Sequence, residues 1–141
     1  MRAPHRFAVR VFYEDTDMGG VVYHANYLRF AERARSDWAR ALGVDQRAML
    51  AGGVVFAVRR VDAEFLLPAR FGDELEVLTV PEAATGARAV LRQEVRRGAA
   101  LLFAARVTLA AMDLSGRPRR LPDAFRAAFE SGDGPGSGAR R

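Results

Sequence analysis

The sequence has no cysteine among its 141 residues and only two histidines. The absence of cysteine excludes disulfides, thiol nucleophiles and cysteine-ligated metal sites, and two histidines leave little for any other transition-metal site. We therefore expect no metal and no redox cofactor. A chain without cysteine also fits the reducing cytoplasm, which is where we expect the protein to work.

Lysine is absent too, so all 22 basic residues are arginine, and with 17 acidic residues the net charge is +5. A pI of about 10.8 raises the question of nucleic acid. The arginines are scattered along the chain rather than gathered into a run, and no zinc-finger or RNA-binding signature is present. We expect no nucleic-acid partner, because a positive surface suits a phosphorylated ligand equally well.

Long hydrophobic runs are also missing. Half of the residues are hydrophobic, yet no apolar stretch approaches the roughly 20 residues that a membrane-spanning helix needs. The first six residues lack the charged and apolar regions of a signal peptide, so export is not expected. The composition predicts a soluble protein with one domain, residues 1–130, followed by a glycine-rich tail, residues 131–141, that is expected to be disordered.

Apolar spacing predicts five strands and one long helix. The predicted strands are Phe7–Tyr13, Val54–Leu66, Glu74–Val80, Arg88–Arg96 and Ala100–Met112; the predicted helices are Asn26–Leu42 and the short pieces Gln46–Leu50 and Pro122–Phe129. Asn26 is predicted to cap the long helix and Gly43 to end it, and Trp38 to lie in the core.

Two strands carry further information. The alternation of the second strand changes parity at Arg59-Arg60, which predicts a bulge, and the continuous apolar face of the last strand predicts a central position. A tight turn is predicted at Arg97-Gly98. One long helix with antiparallel strands is an α+β fold in which the sheet curls around the helix.

The stretch between the first strand and the long helix concentrates chemically active residues. It reads Tyr-Glu-Asp-Thr-Asp-Met-Gly-Gly-Val-Val-Tyr-His-Ala-Asn-Tyr from Tyr13 to Tyr27. The glycine pair allows tight turns, and the start of a helix directs unpaired N–H groups and a partial positive charge at the loop. A carboxylate would then face an oxyanion-stabilising helix end. The alternative is a purely structural role, in which Asp15 and Asp17 form hydrogen bonds with the backbone of their own turn and His24 only stabilises the fold.

This stretch resembles the signature of the hotdog-fold acyl-CoA thioesterases. It is most similar to the YbgC-type branch, the Tol-Pal-associated relatives of 4-hydroxybenzoyl-CoA thioesterase. The matching residues are Tyr13 to Asp17, Gly19 to His24, Asn26 and Tyr27, followed by Glu32-Arg33-Ala34-Arg35 and Pro68-Ala69-Arg70. The resemblance covers roughly Arg6 to Pro122. It implies a hotdog fold, hydrolysis of an acyl-CoA or acyl carrier protein thioester, and a homodimer or homotetramer with the active site at the dimer interface.

The same resemblance implies roles for individual residues. Asp17 matches the catalytic acid and would act as general base or as nucleophile, while His24 and Tyr13 would orient the acid, the water or the thioester. Charge and strand geometry, not the resemblance, make Arg59 and Arg60 at the predicted bulge, with Arg88 at the start of a neighbouring strand, candidates for binding the CoA phosphates. Their alternative is a solvated strand face.

Three other functions stay open at this point. A hotdog dehydratase would use a histidine and an acid in the same tunnel, although the Asp-Thr-Asp-x-Gly-Gly string resembles the thioesterases instead. A non-catalytic acyl-binding or envelope-complex protein would bind a ligand without turnover. A nucleic-acid-binding protein would show a steep salt dependence of affinity. No residue pattern specifies the acyl chain length.

Overall fold

The computed structural model describes residues 3–130, which form a five-stranded antiparallel sheet with helices packed against it. The elements in chain order are β1 (His5–Arg10), α1 (His24–Ala41), α2 (Gln46–Ala51), β2 (Val55–Phe65), β3 (Glu74–Ala84), β4 (Arg88–Arg97), β5 (Ala100–Met112) and α3 (Asp123–Glu130). The strand order is β1-β3-β4-β5-β2, so β1 and β2 are the two edges. The predicted α+β architecture is confirmed.

The core lies between α1 and one face of the sheet. The buried positions of α1 include Tyr27, Phe30, Ala34 and Trp38, which recur every three or four residues along one side of the helix. Strand residues of one parity meet them, because alternate side chains of a strand point to the same face. The buried strand residues facing this core include Val77, Leu91, Val95, Phe103 and Val107.

The start of α1 differs from the prediction. The helix begins at His24 and its N-cap is Tyr23, whose side chain makes no capping hydrogen bond. The prediction that Asn26 caps the helix is wrong, because Asn26 lies buried inside the first turn and its side-chain amide donates to Asp15 Oδ1 at 2.9 Å. The predicted end is confirmed, since Gly43 follows the C-cap with a φ of +88°.

The first strand is shorter than predicted. It ends at Arg10, and the chain then closes a single 3₁₀ turn at Tyr13–Asp15, in which the Asp15 N–H donates to the Phe12 carbonyl oxygen at 3.0 Å. Tyr13 therefore does not continue the buried face of the strand and is 80% exposed. Apolar residues alternate as far as Tyr13, past Arg10, the last residue of β1 that is paired with β3.

Other strand predictions hold with small changes. The bulge in β2 is confirmed, because the register with β5 shifts between Val58 and Arg60. Strand β3 runs beyond its predicted end through a second irregularity between Pro81 and Ala83, where a proline is tolerated. Strand β5 is interior as predicted, although β4 occupies the middle of the sheet. The predicted turn at Gly98 is confirmed by a φ of +60°.

The predicted tail, residues 131–141, lies outside the described residues. Across residues 3–130, no helix combines the length and the apolar composition that crossing a membrane requires.

Candidate active site

The connection between β1 and α1 folds into a small hairpin that presents Asp17. Thr16 pairs with Val22, and the Asp17 N–H donates to the Val21 carbonyl oxygen at 2.9 Å. The hairpin turns through Gly20, whose N–H donates to the Asp17 carbonyl oxygen at 3.0 Å and whose φ is +79°. Glycine is suited to this position because other residues rarely adopt a positive φ.

The Asp17 carboxylate is exposed and only partly engaged. Its Oδ1 accepts the Gly19 N–H at 2.8 Å, which is the backbone hydrogen bond expected of an aspartate in a turn. A Cβ atom at position 19 would lie 3.2 Å from this oxygen, so glycine allows the close approach. The second oxygen, Oδ2, has no hydrogen-bond partner within residues 3–130. Asp17 is therefore held in place while one oxygen stays available.

Asp15, two residues earlier, has a different role. It is only 4% exposed, and its two carboxylate oxygens accept the Phe12 N–H at 2.8 Å and the Asn26 side-chain amide at 2.9 Å. Its carbonyl oxygen also accepts the Tyr23 N–H at 2.9 Å. Asp15 thus fastens the loop to the first turn of α1, a role that sequence analysis missed because no short-range pattern links positions 15 and 26.

A second anchor joins the loop to the segment that precedes β3. The Val22 N–H donates to the Ala69 carbonyl oxygen at 2.8 Å, and the Ala69 N–H donates to the Tyr27 hydroxyl at 3.0 Å. Burial raises the pKa of the Tyr27 phenol, against the smaller lowering effect of the Ala69 N–H. The hydroxyl therefore stays protonated at neutral pH. This arrangement explains why the Pro68-Ala69-Arg70 string accompanies the loop motif.

His24, the first residue of α1, borders a cleft of about 260 Å³, called here the His24 cleft. Its ring lies 4.5 Å from the Tyr23 ring, centroid to centroid, and meets Phe65 edge-on at 6.1 Å. The other lining residues are mostly apolar: Val22, Tyr27, Phe65, Leu66, Leu67 and Pro68. An imidazole and a helix N-terminus thus open onto an apolar space.

Three predicted catalytic residues share this loop but are not hydrogen-bonded to one another. In the described part of the chain, no hydrogen bond joins the side chains of Tyr13, Asp17 and His24. The Tyr13 ring is turned toward Phe71, edge-on at 6.3 Å. The fold places all three on one connection at the N-terminus of α1.

The predicted arginines lie on the sheet. Arg59 is the extra residue of the β2 bulge, and Arg60 is opposite Thr108, while Arg88 is opposite Ala110. Val107 and Leu109 point into the core, so Thr108 and Ala110, the next residues along β5, face away from α1. Arg60 and Arg88 are paired with these two residues and face away from α1 as well. Arg60 Nε donates to Asp62 Oδ2 at 3.0 Å. None of the three arginines lines the His24 cleft.

No group of three or more histidine, aspartate and glutamate side chains in residues 3–130 is placed to hold a metal ion. The groups that the site offers for chemistry are the carboxylate, the imidazole, the phenols and the helix N-terminus.

Comparison with known proteins gives relatives that are similar over most of this chain. The acyl-CoA thioester hydrolase YbgC of Escherichia coli O6:H1 is 42% identical over 127 residues, which cover 89% of this chain and 95% of the relative. The acyl-CoA thioesterase YbgC of Haemophilus influenzae is 39% identical over 125 residues, covering 87% of this chain and 92% of the relative.

A solved structure confirms the hotdog fold. The crystal structure of a probable thioesterase from Bartonella henselae superposes with a TM-score of 0.80 at 39% identity, covering 85% of this chain and all of the other. The sequence profile of the thioesterase-like superfamily matches residues 11–129. This chain belongs to the thioesterase-like superfamily.

Proposed function

We propose that this protein hydrolyses acyl-CoA thioesters to a free acid and CoA. The activities named for the relatives that cover most of both chains support this reaction. The structural observation that carries it is the start of α1 at His24, which has no side-chain cap and directly follows the hairpin with the exposed Asp17 carboxylate. The alternative substrate is an acyl group carried on acyl carrier protein. We also propose that the protein works in the cytoplasm, which a chain without cysteine fits.

The uncapped helix start is the proposed electrophilic element. In most helices a serine, threonine, aspartate or asparagine cap bonds the free N–H groups of the first turn. Here the cap is Tyr23, and no acidic residue occupies the first turn. The Asn26 N–H donates to the Tyr23 carbonyl oxygen at 2.8 Å. The N–H groups of His24 and Ala25 can therefore stabilise the negative charge that develops on the thioester oxygen in the transition state.

Asp17 is the proposed catalytic carboxylate. As a general base it takes a proton from water, the water oxygen bonds to the thioester carbon, the C–S bond breaks, and the proton passes to the CoA thiolate. As a nucleophile its free oxygen bonds to the thioester carbon, and the C–S bond breaks to release the CoA thiolate. Water then hydrolyses the resulting anhydride, which frees the acid, restores the Asp17 carboxylate and supplies a proton to the thiolate. His24 and Tyr13 orient the acid, the water or the thioester. Single turnover in heavy-oxygen water separates the two routes, because label in Asp17 itself requires the nucleophilic one.

The test of the reaction is the variant Asp17→Asn. The asparagine oxygen can still accept the Gly19 N–H, so we expect the fold to persist while turnover falls by about two or more orders of magnitude. Glu14→Gln is the matched control, since it removes an exposed carboxylate from the same loop. Near-normal thiol release by Asp17→Asn would refute the catalytic assignment. A wild-type protein that binds acyl-CoA without releasing thiol would be a binding protein.

The edge of the sheet supports a homodimer as the working unit. Within residues 3–130, β2 pairs with β5 only, and its free edge carries the exposed apolar side chains of Val58, Val61 and Phe65. An exposed edge of this length is a template for strand pairing. Two β2 edges paired antiparallel would give the dimer, and two dimers would give a tetramer.

In this assembly, Arg59 and Arg60 of one copy could contact the substrate bound by the other. Antiparallel pairing would bring the Phe65 end of one β2 toward the bulge end of the other. Arg59 and Arg60 of a second copy would then lie beside the Phe65 end of the first copy, with Arg60 on the sheet face away from α1, and we propose that they bind CoA phosphates there. Sedimentation as a monomer at micromolar concentration would contradict this assembly.

A further inference from the structure

A buried polar cluster beneath the middle of α1 has no part in the mechanism above. Gln93 of β4 is fully buried, and its amide nitrogen donates to the Ala31 carbonyl oxygen at 3.0 Å and to Thr79 Oγ1 at 2.9 Å. Its amide oxygen accepts a hydrogen bond from Arg35 Nη1 at 3.0 Å. Burial lowers the pKa of the Arg35 guanidinium, although the Glu32 carboxylate raises it in part. The cluster fixes a half-buried cation at a defined point of the helix.

Arg35 stands at one end of an apolar groove of about 360 Å³ between α1 and strands β2 and β5. We call it the α1 groove. Its helix wall runs through Ala25, Leu28, Arg29, Ala31, Glu32 and Arg35, and its sheet wall is Val58, Val61, Phe103, Ala105 and Val107. The groove begins at Ala25, next to His24, and Arg35 comes eleven positions after His24. At about 1.5 Å per residue this is about 16 Å along the helix.

A second, smaller cavity of about 100 Å³ lies beyond Arg35. Its apolar lining includes Trp38, Phe56, Leu109 and Phe125, and Arg35 lines both cavities. An apolar chain that passed from one to the other would remove the remaining water from the guanidinium. Its hydrogen-bond partner Gln93 is neutral, and within residues 3–130 the Glu32 carboxylate lies too far away to form an ion pair with it, so this desolvation is unfavourable. The guanidinium therefore closes the α1 groove to an apolar occupant.

We propose that Arg35 limits the length of the acyl chain that the enzyme accepts. The inference rests on the proposed hydrolysis with the thioester at His24. The acyl chain lies in the α1 groove and its methyl end stops at the guanidinium. The occupant is the acyl chain of the substrate, because the groove starts beside His24, has largely apolar walls, and meets a half-buried charge at Arg35 that Gln93 holds in place.

The experiment compares chain-length profiles of Arg35→Gln, Arg35→Met and wild type. Both replacements are neutral and shorter than arginine; glutamine keeps an N–H donor at its end, whereas methionine is apolar throughout. Arg33→Gln is the matched control, since Arg33 loses the same charge from the same helix but is exposed and lies over the Phe30 ring, away from the groove. Thiol release is measured for saturated acyl-CoAs from hexanoyl to palmitoyl.

In both Arg35 variants the preferred chain should lengthen by about two carbons or more. We expect kcat/KM for the longest chains to rise about tenfold, the low end of what a methylene contributes in an apolar pocket, while the shortest substrates change less than about twofold. Arg33→Gln should keep the wild-type profile. The two Arg35 variants give the same readout independently, so one suffices if the other does not fold.

Several results would overturn the proposal. One is an unchanged profile in both Arg35 variants. Another is a wild-type preference for ω-carboxylated over saturated chains of equal length, because Arg35 would then bind the chain end instead of stopping it. A third is a changed oligomeric state with an unchanged profile, which would show that a second copy of this chain covers the groove. If wild type releases no thiol at any chain length, the proposed function itself fails, and the length limit with it.

Discussion

Replacing Asp15 by asparagine tests whether this aspartate holds the catalytic loop on α1. The carboxylate accepts two hydrogen bonds, from the Phe12 N–H and the Asn26 amide, and it is almost fully buried. Asparagine keeps one acceptor oxygen and turns an NH₂ group toward the other donor. One hydrogen bond to a charged group is lost, at about 1.5–3 kcal/mol, and the other becomes neutral, so we expect a loss of about 2–4 kcal/mol in the free energy of unfolding.

The assay is urea unfolding followed by the fluorescence of Trp38. This is the only tryptophan in the sequence, and it is buried against Phe125 with the ring centroids 5.1 Å apart. The same substitution at the exposed Asp17 is the control, and it should change stability by less than about 1 kcal/mol. Since both variants lose one negative charge from the same loop, their difference isolates the buried hydrogen bonds.

Exchanging the two side chains sharpens the test. In Asp15→Asn with Asn26→Asp, the new asparagine can accept from Phe12 and donate to the new aspartate, so more than half of the lost stability should return. Asn26→Asp alone places two carboxylates together and should be the least stable at neutral pH. Because a proton shared between them relieves the repulsion only in the folded state, that variant should gain stability as the pH falls. A loss below about 1 kcal/mol in Asp15→Asn, or no recovery in the exchanged pair, would refute the reasoning.

Two further predictions concern charged residues. Arg88→Ala should raise KM for acyl-CoA several-fold with kcat roughly kept, because a remote phosphate contact binds ground and transition states alike. Arg88 is exposed and has no ion-pair partner in residues 3–130. An unchanged KM in a thiol-release assay would exclude Arg88 from the substrate site. The Arg70 N–H is the main cause that holds the pKa of Asp73 below its ordinary value; burial opposes it, and the Arg97 guanidinium, at 2.9 Å, lowers the pKa further. A lowered folded-state pKa stabilises the fold above the ordinary aspartate value of about 3.9, and this stability is lost as the pH falls through the lowered value. Asp73→Asn should therefore lower the urea midpoint at neutral pH and lessen its fall below about pH 4, whereas parallel curves for the two proteins would contradict the assignment.

The strands were predictable where a local pattern reflects which side faces the core. Phe56 and Val58 have one parity and Val61 and Phe65 the other, so the bulge between them was visible in the sequence. The end of β1 was not, because alternation continues to Tyr13 while the regular pairing with β3 ends at Arg10 and Glu74. Similarly, Pro81 hid the second half of β3, since only the neighbouring strand shows that a bulge accommodates it. The predictions failed where a partner distant in sequence sets the boundary.

At the site, too, local sequence patterns predict one part, and partners distant in sequence determine the rest. Asp15 and Asp17 stand in one glycine-containing loop, and turn preferences describe both equally well. The difference comes from Asn26 and the Phe12 N–H, which engage both oxygens of Asp15, whereas Asp17 gives one oxygen to Gly19 and keeps the other available. An aspartate that must attack a carbon or take a proton needs such an available oxygen. The resemblance selects Asp17 by position, and the hydrogen bonding gives an independent physical reason to propose Asp17 rather than Asp15 as the catalytic acid.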